Sequence, residues 1–407
     1  MIYMDWEMID MRNVVIVDGA RTAFGRMGGT IRQFYMSELA TFAIKGLLDK
    51  TQIHERAHVD SVMIGAALGD AKSWNTARYA ALCAGLPYET SATFIETQCG
   101  SAIDSINLAA LKIQSGAADI IIAGGGESHS QRFAKFSMSV EPYKLIPPMP
   151  IEQVCEPLLE DRIDMIQTSD LIAKKWNITR EECDAFALRS QMRAKRAQDA
   201  GYFEKEIVPV VIPGTKKTPE IVFKADEHLR PSTTMEGLQR LSAVYEGGVT
   251  TAGNASGLND GAAVVLLMSE EKALELGYQP KARWLGGADV GVDPKIMGIG
   301  PAYSNTKLLK RFGLKISDID VWECNEAFAA QNLGVIREME NLTGEKIDQE
   351  KWNPNGGAIA FGHPNGASGA RVGIFAMNEL IRRNGKYAIF SSCVGGGMGI
   401  STLIERY

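Results

Sequence analysis

The chain has 407 residues, 45% hydrophobic and 23% charged, which is ordinary globular composition and enough for two or three domains around a large core. A formal net charge of −6 with no basic block gives nucleic acid no footprint, so an anionic small ligand has to find a local basic patch. No apolar run reaches membrane-spanning length, and Cys83, Cys99, Cys155, Cys183, Cys324 and Cys393 show neither a Cys-x-x-Cys pair nor regular spacing. They read as reduced thiols of a cytoplasmic protein, not as a disulfide frame or a metal site. Residues 1–10 are acidic and lack a basic region followed by an apolar stretch, so they read as a short extension and not a signal peptide.

In chain order, residues 13–18 form an apolar run typical of a strand buried on both faces, and residues 19–25 turn out of it. A helix pattern covers about 37–50, a strand 61–65, a helix 76–85 and a strand 92–97. A further helix opens at Cys99, with Ile103, Ile106, Ala110 and Ile113 at helical spacing and Leu108 and Leu111 widening its buried stripe. A strand over 119–123 then runs into Gly124, Gly125 and Gly126. This alternation predicts a largely parallel sheet with helices on its faces.

From about residue 128 the character changes. Pro142, Pro147, Pro148, Pro150 and Pro157 mark an irregular stretch, and a charged helix follows from Thr179 to about Ala200, opened by the capping box Thr179-Arg-Glu-Glu182. Many basic residues gather here, among them Arg132, Lys174, Arg189, Arg193 and Arg230. Most read as a solvated helical surface, with one or two able to meet phosphates. The βα rhythm returns with strands at 261–268, 320–324 and 387–392.

The two ends echo each other. Gly100-Ser-Ala102 precedes a helix, a strand and Gly124–Gly126, as Gly366-Ala-Ser-Gly369 precedes a helix, a strand and Gly395–Gly397. This predicts an α/β fold of two duplicated βαβαβ halves about a pseudo-twofold axis. The halves are 1–127, completed by 256–279, and 280–407, with 128–255 as an inserted loop domain. Corresponding loops then bring Cys99 opposite Asn325, His363 and Cys393.

Cys99 lies just past a strand end at a helix start, where free N–H groups and the helix dipole favour thiolate, and Gly100, Ser101 and Ala102 leave room for a carbonyl. A plain buried cysteine is the other reading. Of five histidines, His54 and His58 sit in a polar connector, and His129 and His228 lie among polar neighbours of the loop domain. His363, in a Gly-rich turn fixed by Pro364, is the best partner for a cysteine nucleophile, against a structural turn histidine. Cys393 precedes Gly395, Gly396, Gly397 and Gly399, bare backbone suited to close ligand approach and to N–H groups aimed at an oxyanion. No lysine follows, and neither dinucleotide nor Walker spacing is met. Asn325 reads as a helix cap or as the holder of a water or an oxyanion.

The set Cys99-Gly-Ser, Gly253-Asn-Ala-Ser-Gly-Leu-Asn-Asp-Gly-Ala262, Asn325-Glu-Ala-Phe328, Gly362-His-Pro364 and Cys393-Val-Gly-Gly-Gly-Met-Gly399 resembles the thiolase family, in order and at family spacing from Val14 onward. The resemblance implies ping-pong acyl transfer on coenzyme A thioesters. CoA is then a substrate with no tightly bound cofactor, and the assembly is a homodimer or homotetramer. It assigns Cys99 as the acylated nucleophile activated by His363, and Cys393 as the acid/base at the α-carbon of acetyl-CoA. One oxyanion hole comes from His363 and a water on Asn325, the other from the N–H groups of Cys99 and Gly395. Ser256, Met297, Ala327 and Phe328 match the pantetheine path, and Arg230 a basic residue near the CoA nucleotide. The simplest activity is acetyl-CoA C-acetyltransferase, and the alternative is a 3-ketoacyl-CoA thiolase for longer, branched or functionalised chains. The chain departs from the family pattern at Glu96-Thr-Gln98, Ala102 and Asp164-Met-Ile166. The last replaces a His-Met-Gly of short-chain biosynthetic members, with a reshaped acyl pocket expected. A decarboxylating synthase on the same fold would lack Cys393.

Overall fold

The computed structural model describes residues 11–137, 144, 147–216 and 218–407; the acidic extension 1–10 and Pro142 lie outside them. The first half contains β1 (Val14–Thr22), α1 (Met36–Thr51), β2 (Ser61–Gly65), α2 (Thr76–Cys83), β3 (Ser91–Ile95), α3 (Ser101–Gln114) and β4 (Ile120–Ser128). The following stretch carries α4 (Met165–Lys175) and α5 (Arg180–Asp199), after which β5 (Asn259–Ser269) returns to the sheet. The second half runs β6 (Ala282–Gly291), α6 (Gly300–Phe312), β7 (Ile319–Cys324), α7 (Ala329–Thr343), α8 (Asn365–Arg383), β8 (Tyr387–Val394) and β9 (Met398–Arg406). Among the described residues no helix is long and apolar enough to cross a membrane.

The strand order is β7-β8-β9-β6-β1-β5-β4-β2-β3. Counted outward from the β1/β6 seam, β1-β5-β4-β2-β3 mirrors β6-β9-β8-β7, and a single parallel bridge between Trp322 and Trp352 stands where β3 stands in the first half. The duplication is thus visible in the topology. The expectation of a largely parallel sheet is corrected. The β2/β3, β2/β4 and β7/β8 pairs are parallel, and the five pairs from β4/β5 to β8/β9 are antiparallel. The reason is local: each half closes with a strand laid back along its neighbour. β8 reverses into β9 through Gly396 and Gly397, whose φ of 85° and 88° suit only glycine.

Side chains alternate between the sheet's two faces. Val15, Val17, Val264 and Leu266 join a core with α1 and α2, whereas Val14, Ile16, Ala263 and Val265 join one with α3 and α8. In the second half Val321, Ala388 and Phe390 face the same two helices, while Trp322, Ile389 and Leu403 pack with α6 and α7. The central helices are therefore shared by both halves, giving five layers. On α3 the buried stripe is Ile103, Ile106, Ala110 and Ile113, as expected, but Leu108 and Leu111 are exposed, because their positions fall on the opposite arc of the helix. The triple glycine 124–126 lies inside β4 and not beyond it. A Cβ on Gly125 would fall 1.9 Å from the Gly366 carbonyl oxygen, so strand and helix start meet backbone to backbone.

The stretch between β4 and β5 packs on both halves. Thr179 and Glu182 form the expected capping box, with backbone-to-side-chain bonds of 2.8 and 3.2 Å. Arg193 is not part of a solvated face; it is buried and donates to the Trp352 carbonyl at 2.7 Å. The firmest anchor is Arg21 on β1, fully buried, which donates to Glu206 at 2.8 Å and to both carboxylate oxygens of Asp226 at 2.8 and 2.9 Å. Burial opposes its charge, yet Asp226 and Glu206 hold the guanidinium protonated. Replacing Arg21 by Met leaves two buried carboxylates without a cation, and we expect a loss of about 3–5 kcal/mol in urea unfolding. A loss below about 1 kcal/mol would show that the cluster is not an anchor.

Candidate active site

The nucleophile candidate sits on a tight turn. β3 stops at Ile95, Gln98 adopts a left-handed φ of 44°, and a 3₁₀ turn over Gln98–Gly100 precedes α3. Cys99 therefore lies before the helix and not at its first residue. A left-handed non-glycine residue costs about 1–2 kcal/mol, and local bonds offset it. Glu96 Oε1 accepts from the Gln98 N–H at 2.9 Å and from its side-chain amide at 2.8 Å, and Ser101 Oγ donates to the Gln98 carbonyl at 2.7 Å. Glu96 and Gln98, departures in the sequence pattern, are the residues that hold this turn.

The Cys99 thiol is 9% exposed. Burial, with Glu127 nearby, pushes it up to about 12; the Asn365 side chain and the backbone N–H groups of Gly395 and Cys99 act in the opposite direction. The expectation of a thiol lowered by a helix start is corrected: desolvation by burial outweighs the dipole.

His363 follows Gly362, whose φ is 91°. Its N–H donates to the Gly257 carbonyl at 3.2 Å and to Asn259 Oδ1 at 3.1 Å, so the start of β5 and the segment just before it fix the histidine. Nδ1 lies 2.6 Å from Ser368 Oγ, which donates to the Pro364 carbonyl at 3.2 Å. That assigns the ring proton to Nδ1. Nε2, 3.2 Å from Asn325 Nδ2, is left as an acceptor. Burial, then His129 and Arg371, pushes the imidazole down to about 3, so it is neutral, with an Nε2 lone pair of weakened basicity.

Asn325 is not a helix cap, since α7 begins at Ala329 with Phe328 before it. Its Oδ1 is buried with no partner among the described residues. Cys393 lies within β8 and is fully buried; burial, then Cys99 and Cys324, pushes its thiol well above the ordinary value. It packs with Met297, Ala327 and Phe328.

A cavity of about 540 Å³ is lined by Cys99 and His363, whereas Asn325 and Cys393 are not part of its lining. Cys99, His363, Asn365 and Gly395 form one wall, with Ser256, Met297, Ala327 and Phe328 beside them. Residues 152–156 and 162–165 complete the lining. Asp164 belongs to it while capping α4 through the Ile166 and Gln167 N–H groups, both at 2.8 Å; Met165 lines the cavity and Ile166 does not. Arg230 lies apart, on a cavity of about 220 Å³ with His228 and Gly253. A larger cavity of about 670 Å³ beside α4 shares Ile163 with the cavity at Cys99 but contains neither Cys99 nor His363.

Sequence reasoning missed three groups. Asn365 Nδ2 donates to Cys99 Sγ at 3.3 Å, and His129 Nε2 stands 3.0 Å from Asn365 Oδ1. Glu127 accepts from the N–H groups of Ala67, Leu68 and Gly366 at 2.8, 3.3 and 3.2 Å, and burial pushes it up to about 7. The sequence context of His129 suggests polar neighbours in the loop domain, but β4 extends to Ser128 and the residue after it is buried. The signal was adjacency to glycine runs that mark close packing.

Since the thiolate is the reactive form, a raised thiol predicts that Cys99 alkylation by iodoacetamide climbs about tenfold per pH unit from pH 6 to beyond 9. A plateau below pH 8.5, followed by peptide mapping, would contradict the burial argument.

The family model described as thiolase, N-terminal domain, matches residues 14–271, and that described as thiolase, C-terminal domain, matches residues 278–406. The chain is 42% identical to the 3-oxoadipyl-CoA/3-oxo-5,6-dehydrosuberyl-CoA thiolase of Escherichia coli, over 97% of this chain and 100% of that protein. It is 42% identical to the acetyl-CoA acetyltransferase of Chromobacterium violaceum, over 97% of this chain and 99% of that one. The crystal structure of the Bacillus anthracis acetyl-CoA acetyltransferase superposes with a TM-score of 0.89 at 40% identity, covering 98% of this chain and 100% of that one. The chain belongs to the thiolase family and is an acyltransferase acting on CoA thioesters.

Proposed function

We propose that Cys99 carries the acyl group, that His363 takes its proton, and that Cys393 serves the carbon acid. The observation behind this reading is the convergence of four separate segments on one cavity, with Cys393 packed directly behind Met297, Ala327 and Phe328 of its wall. In thiolysis Cys99 Sγ attacks the 3-keto carbon while its proton passes to His363 Nε2. The bond between C2 and C3 breaks, C2 takes the Cys393 proton and leaves as acetyl-CoA, and the acyl group stays on Cys99. CoA sulfur then attacks the acyl carbon while its thiol proton returns to the Cys393 thiolate; the bond from the acyl carbon to Cys99 Sγ breaks, and the departing thiolate takes back the proton held on His363. The N–H groups of Cys99 and Gly395 support the oxyanion on the acyl carbon, while protonated His363 and a water donated to Asn325 Oδ1 support the enolate oxygen.

Ser256, Met297, Ala327 and Phe328 are proposed to line the pantetheine arm. Arg230 retains its proposed role at the CoA nucleotide; His228, its neighbour on the smaller cavity, packs against Gly257 beside Ser256. Cys393→Ser is expected to retain acylation by acetyl-CoA but to slow deuterium exchange at the acetyl α-carbon by about a hundredfold or more. Wild-type exchange would remove Cys393 from its role.

The substrate we favour is acetoacetyl-CoA, formed from or cleaved to acetyl-CoA. Glu152, Glu156 and Asp164 line the same cavity as Cys99, and the cation among them, Arg162, already donates to the Glu156 and Pro157 carbonyls at 2.9 and 3.3 Å. A terminal carboxylate gains little there. A second reading, a functionalised chain such as 3-oxoadipyl-CoA, draws on Arg162's place in that lining and on the name of the E. coli relative. We expect kcat/KM for acetoacetyl-CoA to exceed that for 3-oxoadipyl-CoA at least tenfold, and the opposite order would establish the second reading.

We also propose a homodimer formed along β3. This outermost strand pairs on one side only, and Tyr88, Leu108 and Leu111 are exposed nearby. Light scattering should give twice the chain mass and Leu111→Asp should give the monomer; a monomeric wild-type protein would contradict this.

A further inference from the structure

We propose that Asn365 stabilises the Cys99 thiolate through its side-chain N–H, and that His129 fixes the Asn365 amide in the orientation that does so. This deepens the reading above and rests on Cys99 being the nucleophile. A primary amide fits its site in two orientations, which present opposite dipoles to the sulfur. With Nδ2 toward Sγ at 3.3 Å, an N–H meets the charge that develops when the proton leaves; with Oδ1 there, lone pairs face it. The choice is made on the other side, where His129 Nε2 stands 3.0 Å from Oδ1. His129 is buried and pushed below its ordinary value, mainly by burial, so it is neutral and carries one ring proton. Placed on Nε2, that proton donates to Oδ1 and holds Nδ2 on the sulfur.

The surroundings make this donor matter. The carboxyl of Glu127 opposes a negative sulfur, Cys393 is a second buried thiol, and His363 is neutral. Among the described residues no cation is bonded to the sulfur. Its stabilisation falls to neutral donors, the backbone N–H groups of Gly395 and Cys99 and one side chain, Asn365. The pair is also rigidly mounted. Asn365 opens α8, and the next residue, Gly366, rests on the backbone of Gly125 and Gly126 in β4, the strand that ends one residue before His129. One close contact therefore sets both halves of the relay. The thiolate exists twice per turnover, as attacking group in acylation and as leaving group in deacylation, so both half-reactions should feel the loss.

The test measures the rate of Cys99 alkylation by iodoacetamide at pH 8, read by peptide mass mapping. Asn365→Leu should lower it about ten- to a hundredfold, the scale of one hydrogen bond to a charged acceptor. Asn365→Asp, which keeps the shape and turns an acceptor to the sulfur, should lower it further, separating electronic loss from a change of access. His129→Leu should lower it less, and should add nothing to Asn365→Leu in the double variant. His129→Gln, which keeps an N–H donor, should recover most of the rate. In the half-reactions kcat should fall with KM little changed. Asn365→Asp within threefold of wild type would overturn the role of Asn365, and additive effects of the two sites would overturn that of His129. Acylation mapped to another cysteine in the wild-type protein would instead remove the underlying reading.

Discussion

The structure depends on one place where two backbones touch without side chains between them. β4 presents Gly125, α8 begins beside Gly366, and a single added Cβ would collide with a carbonyl oxygen. Because β4 belongs to the first half and α8 to the second, this contact sets the distance between loops that are otherwise far apart in sequence. Cys99 enters from one side on its pinned turn, and His363 and Asn365 enter from the other just ahead of Gly366. Gly369 lets α3 and α8 approach in the same way, since a Cβ there would meet Ile103 at 2.7 Å. Interiors this closely packed hold reacting groups within tenths of an ångström, which is what a two-step acyl transfer needs.

The site is electrostatically quiet at rest. Both thiols are raised by burial and the imidazole is lowered, so all three groups are neutral. Charge appears only when a proton moves, and it then meets oriented hydrogen-bond donors. Such preorganisation costs stability, because buried polar atoms such as Asn325 Oδ1 stand without a partner among the described residues. The Arg21 cluster and the two-faced sheet supply compensating rigidity away from the cavity.

Much of this was legible in the chain. Strand 61–65, the α8 pattern ending at Arg383 and the Thr179 capping box depend on local periodicity and capping, and the structure places them where the pattern does. The motif residues Cys99, Asn325, His363 and Cys393 converge because the repeated small-residue turns encode the duplication. What stayed hidden was non-local. Antiparallel pairing through β9 follows from a glycine hairpin that reads equally well as a ligand loop. The exposure of Leu108 and Leu111 depends on which arc of α3 the neighbours cover. The thiol's rise depends on burial that no single segment reveals, and His129 and Asn365 acquire meaning only when β4 and α8 are brought together.

The most direct measurement is rapid quenching of the protein with acetyl-labelled acetyl-CoA, followed by peptide mapping and a chase with free CoA. Cys155 is exposed and lines the same cavity, so it is a real competitor for the label. The account predicts one acetyl group per chain on Cys99, discharged by CoA. Label on Cys155 or Cys393, or label on Cys99 that CoA cannot remove, would contradict it.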